Sequence, residues 1–114
     1  MTVRRVVPNL TVADLNVARA AYVETLGLTE VMNHGWILTL ADDGGRQISL
    51  MTRDLSAPVN PDVSVEVDDV DDAHAAAVSA GLAIVHPLTD EEWGVRRFFF
   101  EDPSGNVVNV LSHR

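Results

Sequence analysis

The chain contains an internal repeat. Residues 12–25 (VADLNVARAAYVET) align with residues 67–80 (VDDVDDAHAAAVSA), so that matching Val, Asp and Ala residues recur at an offset of about 55 residues. A fixed offset of this kind is the signature of duplicated structure. Half of a 114-residue chain would bury too little apolar surface to be stable alone. The repeat therefore predicts two similar halves within one domain.

The pattern around each copy predicts one helix and four strands. Asp14 is a good N-cap for a helix that runs to about Thr25, and Gly27 provides its stop. The second helix is expected at about 70–80, capped near Asp69 or Asp71. Short apolar runs bounded by turn residues predict strands at 3–10, 28–33, 36–41, 46–52, 63–67, 82–88, 95–101 and 106–111.

The element order predicts how the chain divides. Each half reads β-α-β-β-β, and successive strands within a half favour a mixed sheet with much antiparallel pairing. We expect a first module at 1–53, a linker at 54–61 that carries two prolines, and a second module at 62–114.

Composition excludes several classes of function. The chain has no cysteine, which excludes disulfides, thiolate metal sites and a cysteine nucleophile and favours a cytoplasmic protein. No apolar run approaches the ~18–20 residues of a membrane span, and the N-terminus does not read as a signal peptide. A net charge of −9 disfavours binding to nucleic acid. The acidity serves either solubility or the attraction of a cationic small molecule.

Two segments carry a resemblance to a known family. They are residues 12–28 (VADLNVARAAYVETLGL) and residues 93–111 (WGVRRFFFEDPSGNVVNVL), the latter with a D-P-x-G-N turn after an aromatic strand. The chain resembles the vicinal oxygen chelate superfamily, which includes glyoxalase I, extradiol dioxygenases, fosfomycin-resistance enzymes and bleomycin-resistance proteins. The resemblance implies an α+β fold of two βαβββ modules, with curved mixed sheets around a cleft, helices on the outer face, and a homodimer.

The resemblance also allows the family's metal positions to be carried over. In the metal-dependent members, side chains from four strands hold a divalent ion; the corresponding positions are Val7, Ser49, Asp62 and Asn109. A valine offers no lone pair, and hydroxyl or carboxamide oxygens are weak ligands for Zn, Ni or Fe. The four histidines do not show the spacing of a chelating pair. We therefore expect no metal and no other cofactor.

The C-terminal hairpin predicts which side chains line the cleft. If Asp102–Gly105 is a four-residue loop, Phe98 faces Asn109, and both lie on the cleft side of the sheet. A slip of one residue would exchange the two faces of these strands. Together with Trp36 or Leu38 from the third strand, the expected ligand-binding residues are Val7, Asn9, Trp36, Leu38, Gln47, Ser49, Met51, Ser64, Glu66, Trp93, Arg96, Phe98, Phe100 and Asn109.

Two functions fit this pattern. The first is a metal-free protein that binds or sequesters a small, aromatic or cationic molecule, as bleomycin-resistance proteins do. The alternative is an enzyme of the same fold, of the lyase, isomerase or dioxygenase-like type. It would use Glu66, Asp62 or His86 as a general acid or base, or a rearranged metal site.

Overall fold

The chain forms two compact units in the computed structural model, which describes residues Met1–Arg114. Unit 1 combines Met1–Val6 with Pro61–Arg114, and unit 2 consists of Val7–Asn60. The first six residues therefore lie with the second half of the chain, although the repeat assigned them to the first module. Neither of the two helices has the length and apolar character that crossing a membrane requires.

Unit 2 contains one helix and a four-stranded mixed sheet. The elements are β1 (Val3–Thr11, which begins in unit 1), α1 (Leu15–Leu26), β2 (Thr29–Asn33), β3 (Ile37–Ala41) and β4 (Gln47–Met51). The strand order is β2-β3-β4-β1, with β1 parallel to β4 and the other pairs antiparallel. As predicted, α1 begins after Asp14, whose carboxylate accepts hydrogen bonds from the backbone N–H groups of Asn16 and Val17.

Unit 1 repeats this plan. Its further elements are β5 (Val63–Val67), α2 (Val70–Ser79), β6 (Ala83–Asp90), β7 (Val95–Glu101) and β8 (Val107–His113). The strand order is β5-β8-β7-β6, with β5 parallel to β8 and the other pairs antiparallel. The predicted α+β class, the mixed sheets and the two βαβββ modules are confirmed. Strand β6 runs further than predicted, because Thr89 and Asp90 still pair with β7.

In each unit the sheet has a helix face, which packs against the helix, and a helix-distal face on its other side. The helix face of unit 2 carries Leu38, Leu40 and Leu50, which pack with Leu15 and Tyr22 of α1. The helix face of unit 1 carries side chains that pack with α2, namely Val65, Val67, Phe98, Phe100, Val108 and Val110. Because side chains alternate along a strand, the intervening residues lie on the helix-distal face.

The predicted linker is an ordered part of unit 2. Asp54 is buried, and its Oδ1 accepts a hydrogen bond from the Ser56 N–H at 2.9 Å. Asn60 accepts a hydrogen bond from the Asp54 N–H at 2.8 Å and donates to the Thr52 carbonyl at 3.0 Å. These bonds satisfy backbone groups that turn residues leave unpaired, so the segment does not need a strand or helix to be well defined.

A second repeated feature closes the last hairpin of each unit. The carboxylate of Asp42 accepts hydrogen bonds at 2.9 Å from the N–H groups two and four residues later, and Asp102 does the same. In both turns a glycine with positive φ follows three residues after the aspartate, Gly45 at 80° and Gly105 at 89°. Side chains other than glycine rarely adopt this backbone conformation. The two turns are about 60 residues apart and extend the repeat to the end of each unit.

The first prediction concerns the cap of α1. Replacing Asp14 by alanine removes the acceptor for two backbone N–H groups and should lower the free energy of unfolding by about 1 kcal/mol. Urea unfolding followed by circular dichroism measures the change. Asp43→Ala, which removes an exposed carboxylate from a turn, is the matched control and should change stability by less than about 0.5 kcal/mol. Equal losses in the two variants would contradict the capping role.

The second prediction concerns the pH dependence of the Asp102 turn. The side-chain amide of Asn106 and the backbone N–H groups of Asn106 and Ser104 donate to the Asp102 carboxylate, which lowers the pKa of this carboxyl group. A lowered pKa in the folded state means that the stabilisation is present above the unfolded pKa of about 3.9. It is lost as the pH falls through the lower, folded value. Urea unfolding should show wild type more stable than Asp102→Asn at neutral pH, with a difference that shrinks below about pH 4. A difference independent of pH would contradict this account.

Candidate functional site

The register of the β7–β8 hairpin differs by one residue from the predicted register. The Asp102 N–H donates to the Asn106 carbonyl at 2.9 Å, so the turn takes up five residues instead of four. The first ladder pair is Glu101 with Val107, and Phe99, not Phe98, lies opposite Asn109. The predicted pairing of Phe98 with Asn109 is wrong, and the slip exchanges the two faces of β7 relative to Asn109.

Three residues expected beside Asn109 therefore lie on the helix face. Phe98 is 0% exposed and packs in the α2 core, with its ring 5.0 Å from the ring of His74, and Phe100 packs beside it. Arg96 forms ion pairs with Asp71 of α2 at 2.8 Å and with Asp90 at 3.3 Å. Their predicted position on the same face as Asn109 is wrong.

In β3, Leu38 also lies on the face opposite to the predicted one. Leu38 lies opposite Leu50 and packs against α1, so its predicted place among the polar residues of unit 2 is wrong. Trp36 precedes β3, and its carbonyl accepts a hydrogen bond from the Thr52 N–H at 3.0 Å. The sequence ILTLA has apolar residues at alternate positions on both sides of the strand, so it does not show which side faces the helix. The pairing of Leu38 with Leu50 of β4 puts Leu38 and Leu40 on the helix face.

On the helix-distal face of unit 1, four side chains form a row across all four strands. Ser64 of β5 lies opposite Asn109 of β8, Asn109 lies opposite Phe99 of β7, and Phe99 lies opposite His86 of β6. The rings of His86 and Phe99 are 5.0 Å apart. Directly paired residues share a face of the sheet, so this row brings two polar groups, an aromatic ring and an imidazole together.

Asn109 has an unpaired acceptor in this row. Its side chain is 8% exposed, and its Nδ2 donates a hydrogen bond to Ser64 Oγ at 3.0 Å, whereas its buried Oδ1 has no hydrogen-bond partner. A buried polar atom without a partner costs about 1–3 kcal/mol.

One end of the row belongs to a buried ionic cluster, which consists of His86, Glu91 and Arg97. Glu91 Oε1 is 2.9 Å from His86 Nε2 and 3.2 Å from Arg97 Nε, and the three side chains are less than 10% exposed. The Arg97 guanidinium carbon lies 4.9 Å from the ring centroid of Trp93 and 4.8 Å from that of Phe99. Cation–π contact and a shared carboxylate fix these side chains in one arrangement.

The sequence interpretation missed three members of this site. The predicted four-residue turn puts Arg97 and Phe99 on the face opposite to that of Asn109, and the run Asp90-Glu91-Glu92-Trp93-Gly94 predicts only an acidic loop. A five-residue turn at 102–106 would have placed Arg97 and Phe99 on the same face as Asn109. Glu91 joins the cluster because its backbone N–H donates to the Val95 carbonyl at 2.8 Å, which folds the loop back on β7.

The helix-distal face of unit 2 carries another polar group. Ser49 lies opposite both Asn9 of β1 and Thr39 of β3, and the hydroxyls of Thr39 and Ser49 are 2.8 Å apart. Thr39 was not singled out from sequence. By alternation, the same face carries the other predicted residues of this unit, which are Val7, Gln47 and Met51. Whether any of these residues binds a ligand stays a prediction.

The three candidate acids and bases have distinct surroundings. Asp62 is exposed, and its Oδ2 accepts a hydrogen bond from the Val107 N–H at 2.8 Å, which ties β5 to β8. Glu66 forms an ion pair with Arg5 at 3.1 Å, and its Oε2 lies 3.2 Å from His113 Nδ1. His86 alone belongs to the row that contains Asn109. Asp62 and Glu66 therefore make structural contacts away from Asn109, whereas His86 is part of the row that contains Asn109.

The residues at the family's metal positions do not fit a metal ion. Val7 has no donor atom, the Ser49 hydroxyl is bonded to Thr39, the Asp62 carboxylate accepts from a backbone N–H, and Asn109 is a carboxamide. Divalent first-row metals need several imidazole or carboxylate donors. No group of three or more His, Asp or Glu side chains in the structure is arranged to hold an ion.

Solved structures with the same fold are numerous. A glyoxalase/bleomycin resistance protein/dioxygenase superfamily member from Vibrio splendidus 12B01 matches with a TM-score of 0.75 and 23% identity, over 97% of this chain and 99% of that chain. A structure described as NAD-dependent benzaldehyde dehydrogenase from Legionella pneumophila matches with a TM-score of 0.80 and 15% identity, over 96% and 100%.

A metal-containing relative shows the same fold. The Mn(II)-bound glyoxalase from Novosphingobium aromaticivorans matches with a TM-score of 0.62 and 21% identity, over 96% of this chain and 38% of that chain. At these identities the likeness establishes the fold alone. No curated protein is similar enough in sequence to match.

The family model extends over almost all of the chain. The model of the Glyoxalase/Bleomycin resistance protein/Dioxygenase superfamily matches residues 3–110, which include all eight strands in whole or in part and both helices. The chain therefore belongs to the Glyoxalase/Bleomycin resistance protein/Dioxygenase superfamily.

Proposed function

We propose that this protein binds a small organic molecule on the helix-distal face of unit 1 and that it does so without a metal ion. The unpaired, buried Oδ1 of Asn109 is the observation that carries the proposal. Proteins seldom keep an unpaired acceptor in a buried row, because a ligand or water partner would recover about 1–3 kcal/mol.

The surroundings of Asn109 favour one class of ligand. An amide oxygen accepts hydrogen bonds, so the ligand should carry an N–H or O–H donor. Trp93 is 40% exposed and lies against Arg97, so it offers an aromatic surface to a ligand, whereas the fully buried Phe99 supports this arrangement from below. The net charge of −9 favours a cation over an anion at long range. We infer a small aromatic or cationic molecule with a donor group, bound or sequestered as in bleomycin-resistance proteins.

A catalytic function is the second candidate, and the pair of His86 and Glu91 favours it. A carboxylate at 2.9 Å from an imidazole orients that ring, and an oriented imidazole is a common general acid or base. In this alternative the bound molecule would be converted by a lyase, isomerase or dioxygenase-like reaction. Chromatography of the ligand after incubation distinguishes the two candidates: sequestration returns the ligand unchanged, whereas catalysis returns a product.

Two further properties are part of the proposal. The resemblance to the superfamily implies a homodimer, and the lack of cysteine suits a reducing, cytoplasmic compartment.

The third prediction tests the role of Asn109. Asn109→Leu removes the acceptor but also removes an unpaired polar atom from the interior, so the free energy of unfolding should change by less than about 1 kcal/mol. Ligands found by thermal-shift screening of aromatic amines and other organic cations should bind this variant at least about tenfold more weakly than wild type. Calorimetric titration of both proteins measures the ratio.

Ser79→Ala is the control for Asn109→Leu. It removes an exposed hydroxyl from α2, which lies on the other side of the sheet from Asn109, so ligand affinity should stay within about threefold of wild type. The proposal would be refuted if Asn109→Leu bound the screened ligands as tightly as wild type.

The fourth prediction concerns the ionic cluster that supports this face. Glu91→Gln keeps the side-chain shape but removes the negative charge that His86 and Arg97 share, and should lower the unfolding free energy by about 1–3 kcal/mol. Ligand affinity should fall as well, because the loop that carries Trp93 loses its anchor. The neighbouring Glu92→Gln, at an exposed position, should change stability by less than about 0.5 kcal/mol. Similar stability losses in both variants would contradict the role of the cluster.

A further inference from the structure

The helix face of unit 1 contains an apolar pocket that the proposed function does not use. It has a volume of about 330 Å³ and lies between α2 and the sheet, and all twelve of its lining residues are apolar. On α2 the lining consists of Ala73, Ala76 and Ala77, and on the sheet it includes Phe98 and Phe100. Alanine side chains are too short to fill the space between a helix and a sheet, which explains why the pocket exists.

The internal repeat shows what fills this space in the other unit. At an offset of about 55 residues, Ala73 and Ala76 correspond to Ala18 and Ala21 of α1, but Ala77 corresponds to Tyr22. Tyr22 packs against the leucine core of unit 2. The second module therefore carries an alanine where the first module packs a tyrosine ring of its helix against its sheet.

We propose that this pocket, the α2 pocket, binds a single-ring aromatic molecule that carries no negative charge. The ring would take the place that Tyr22 takes in unit 2. The rings of Phe98 and Phe100, whose centroids are 6.3 Å apart, offer aromatic contacts to it. The lining supplies no polar side chain, so a polar group placed inside would lose its hydrogen bonds to water without replacement.

The charge of the chain favours some aromatic molecules over others. Asp72 lies four residues before Ala76 of the lining, which puts these two residues on one side of α2. The Asp72 carboxylate forms an ion pair at 3.9 Å with the N-terminal ammonium of Met1, another lining residue, so these two charges offset each other. The net charge of −9 then repels an anionic head group and attracts a cationic one.

The volume limits the occupant to a small molecule. A pocket of about 330 Å³ equals the liquid volume of about ten water molecules, which is too small for a helix or strand of another protein. The α2 pocket lies on the face opposite to Asn109, so this proposal does not depend on the function proposed above.

The fifth prediction is a titration with three matched probes, benzyl alcohol, benzylamine and benzoate, followed by NMR of the aromatic side chains. Benzyl alcohol and benzylamine should shift the ring signals of Phe98 and Phe100 in a saturable manner. Benzoate should bind at least about tenfold more weakly than benzylamine. The indole signal of Trp93 reports on the helix-distal face, so any shift of that signal should be the same in wild type and in Ala76→Leu, which separates the two sites.

Variants within α2 complete the test. Ala77→Tyr restores the missing ring and Ala76→Leu narrows the pocket, and each should weaken benzyl alcohol binding at least about tenfold. If Ala77→Tyr does not fold, Ala76→Leu decides the question. Val78→Leu, on the exposed side of α2, is the matched control and should bind as wild type does. The proposal is overturned if benzyl alcohol leaves the Phe98 and Phe100 signals unchanged, or if it binds the folded pocket variants as tightly as wild type.

Discussion

The turn at Asp102 determines which side chains of unit 1 can meet a ligand. Its carboxylate accepts hydrogen bonds from two backbone N–H groups on the far side of the turn, which fixes a five-residue connection between β7 and β8. This length places Phe99 and Arg97 on the same face as Asn109 and sends Phe98 to the α2 core. A connection shorter by one residue would invert every one of these positions, because side chains alternate along a strand.

The polar groups on the helix-distal face of unit 1 lower the stability of the folded protein. It buries a carboxylate, a guanidinium and an imidazole within one cluster and leaves an amide oxygen without a partner. Buried ion pairs contribute little net stability, and apolar residues of similar volume would often serve folding as well or better. Polar groups retained at such a cost are typical of binding and catalytic sites.

The helices and strands could be predicted from the sequence, but the register in which the strands pair could not. The two helices begin where Asp14 and Asp69 predict, and the alternation in VSVEV correctly predicts a strand. These predictions succeed because capping and side-chain alternation depend only on residues near in sequence. The run VRRFFFE offers apolar residues to both faces, so only the turn length could assign Phe98 and Phe99. The contact of Glu91 with His86 and Arg97 joins a loop to two strands, and no local pattern encodes it. The alanine that opens the α2 pocket is visible in the repeat, at the position of Tyr22.

We propose that a fold shared with a metal-containing relative here binds an organic molecule without a metal ion. Native mass spectrometry of protein purified without chelator, combined with elemental analysis of the same sample, distinguishes this from a metalloprotein. We expect the mass of the polypeptide, free or carrying an organic ligand, with no stoichiometric transition metal. One Zn, Ni, Mn or Fe ion per chain, retained until the protein unfolds, would refute the proposal.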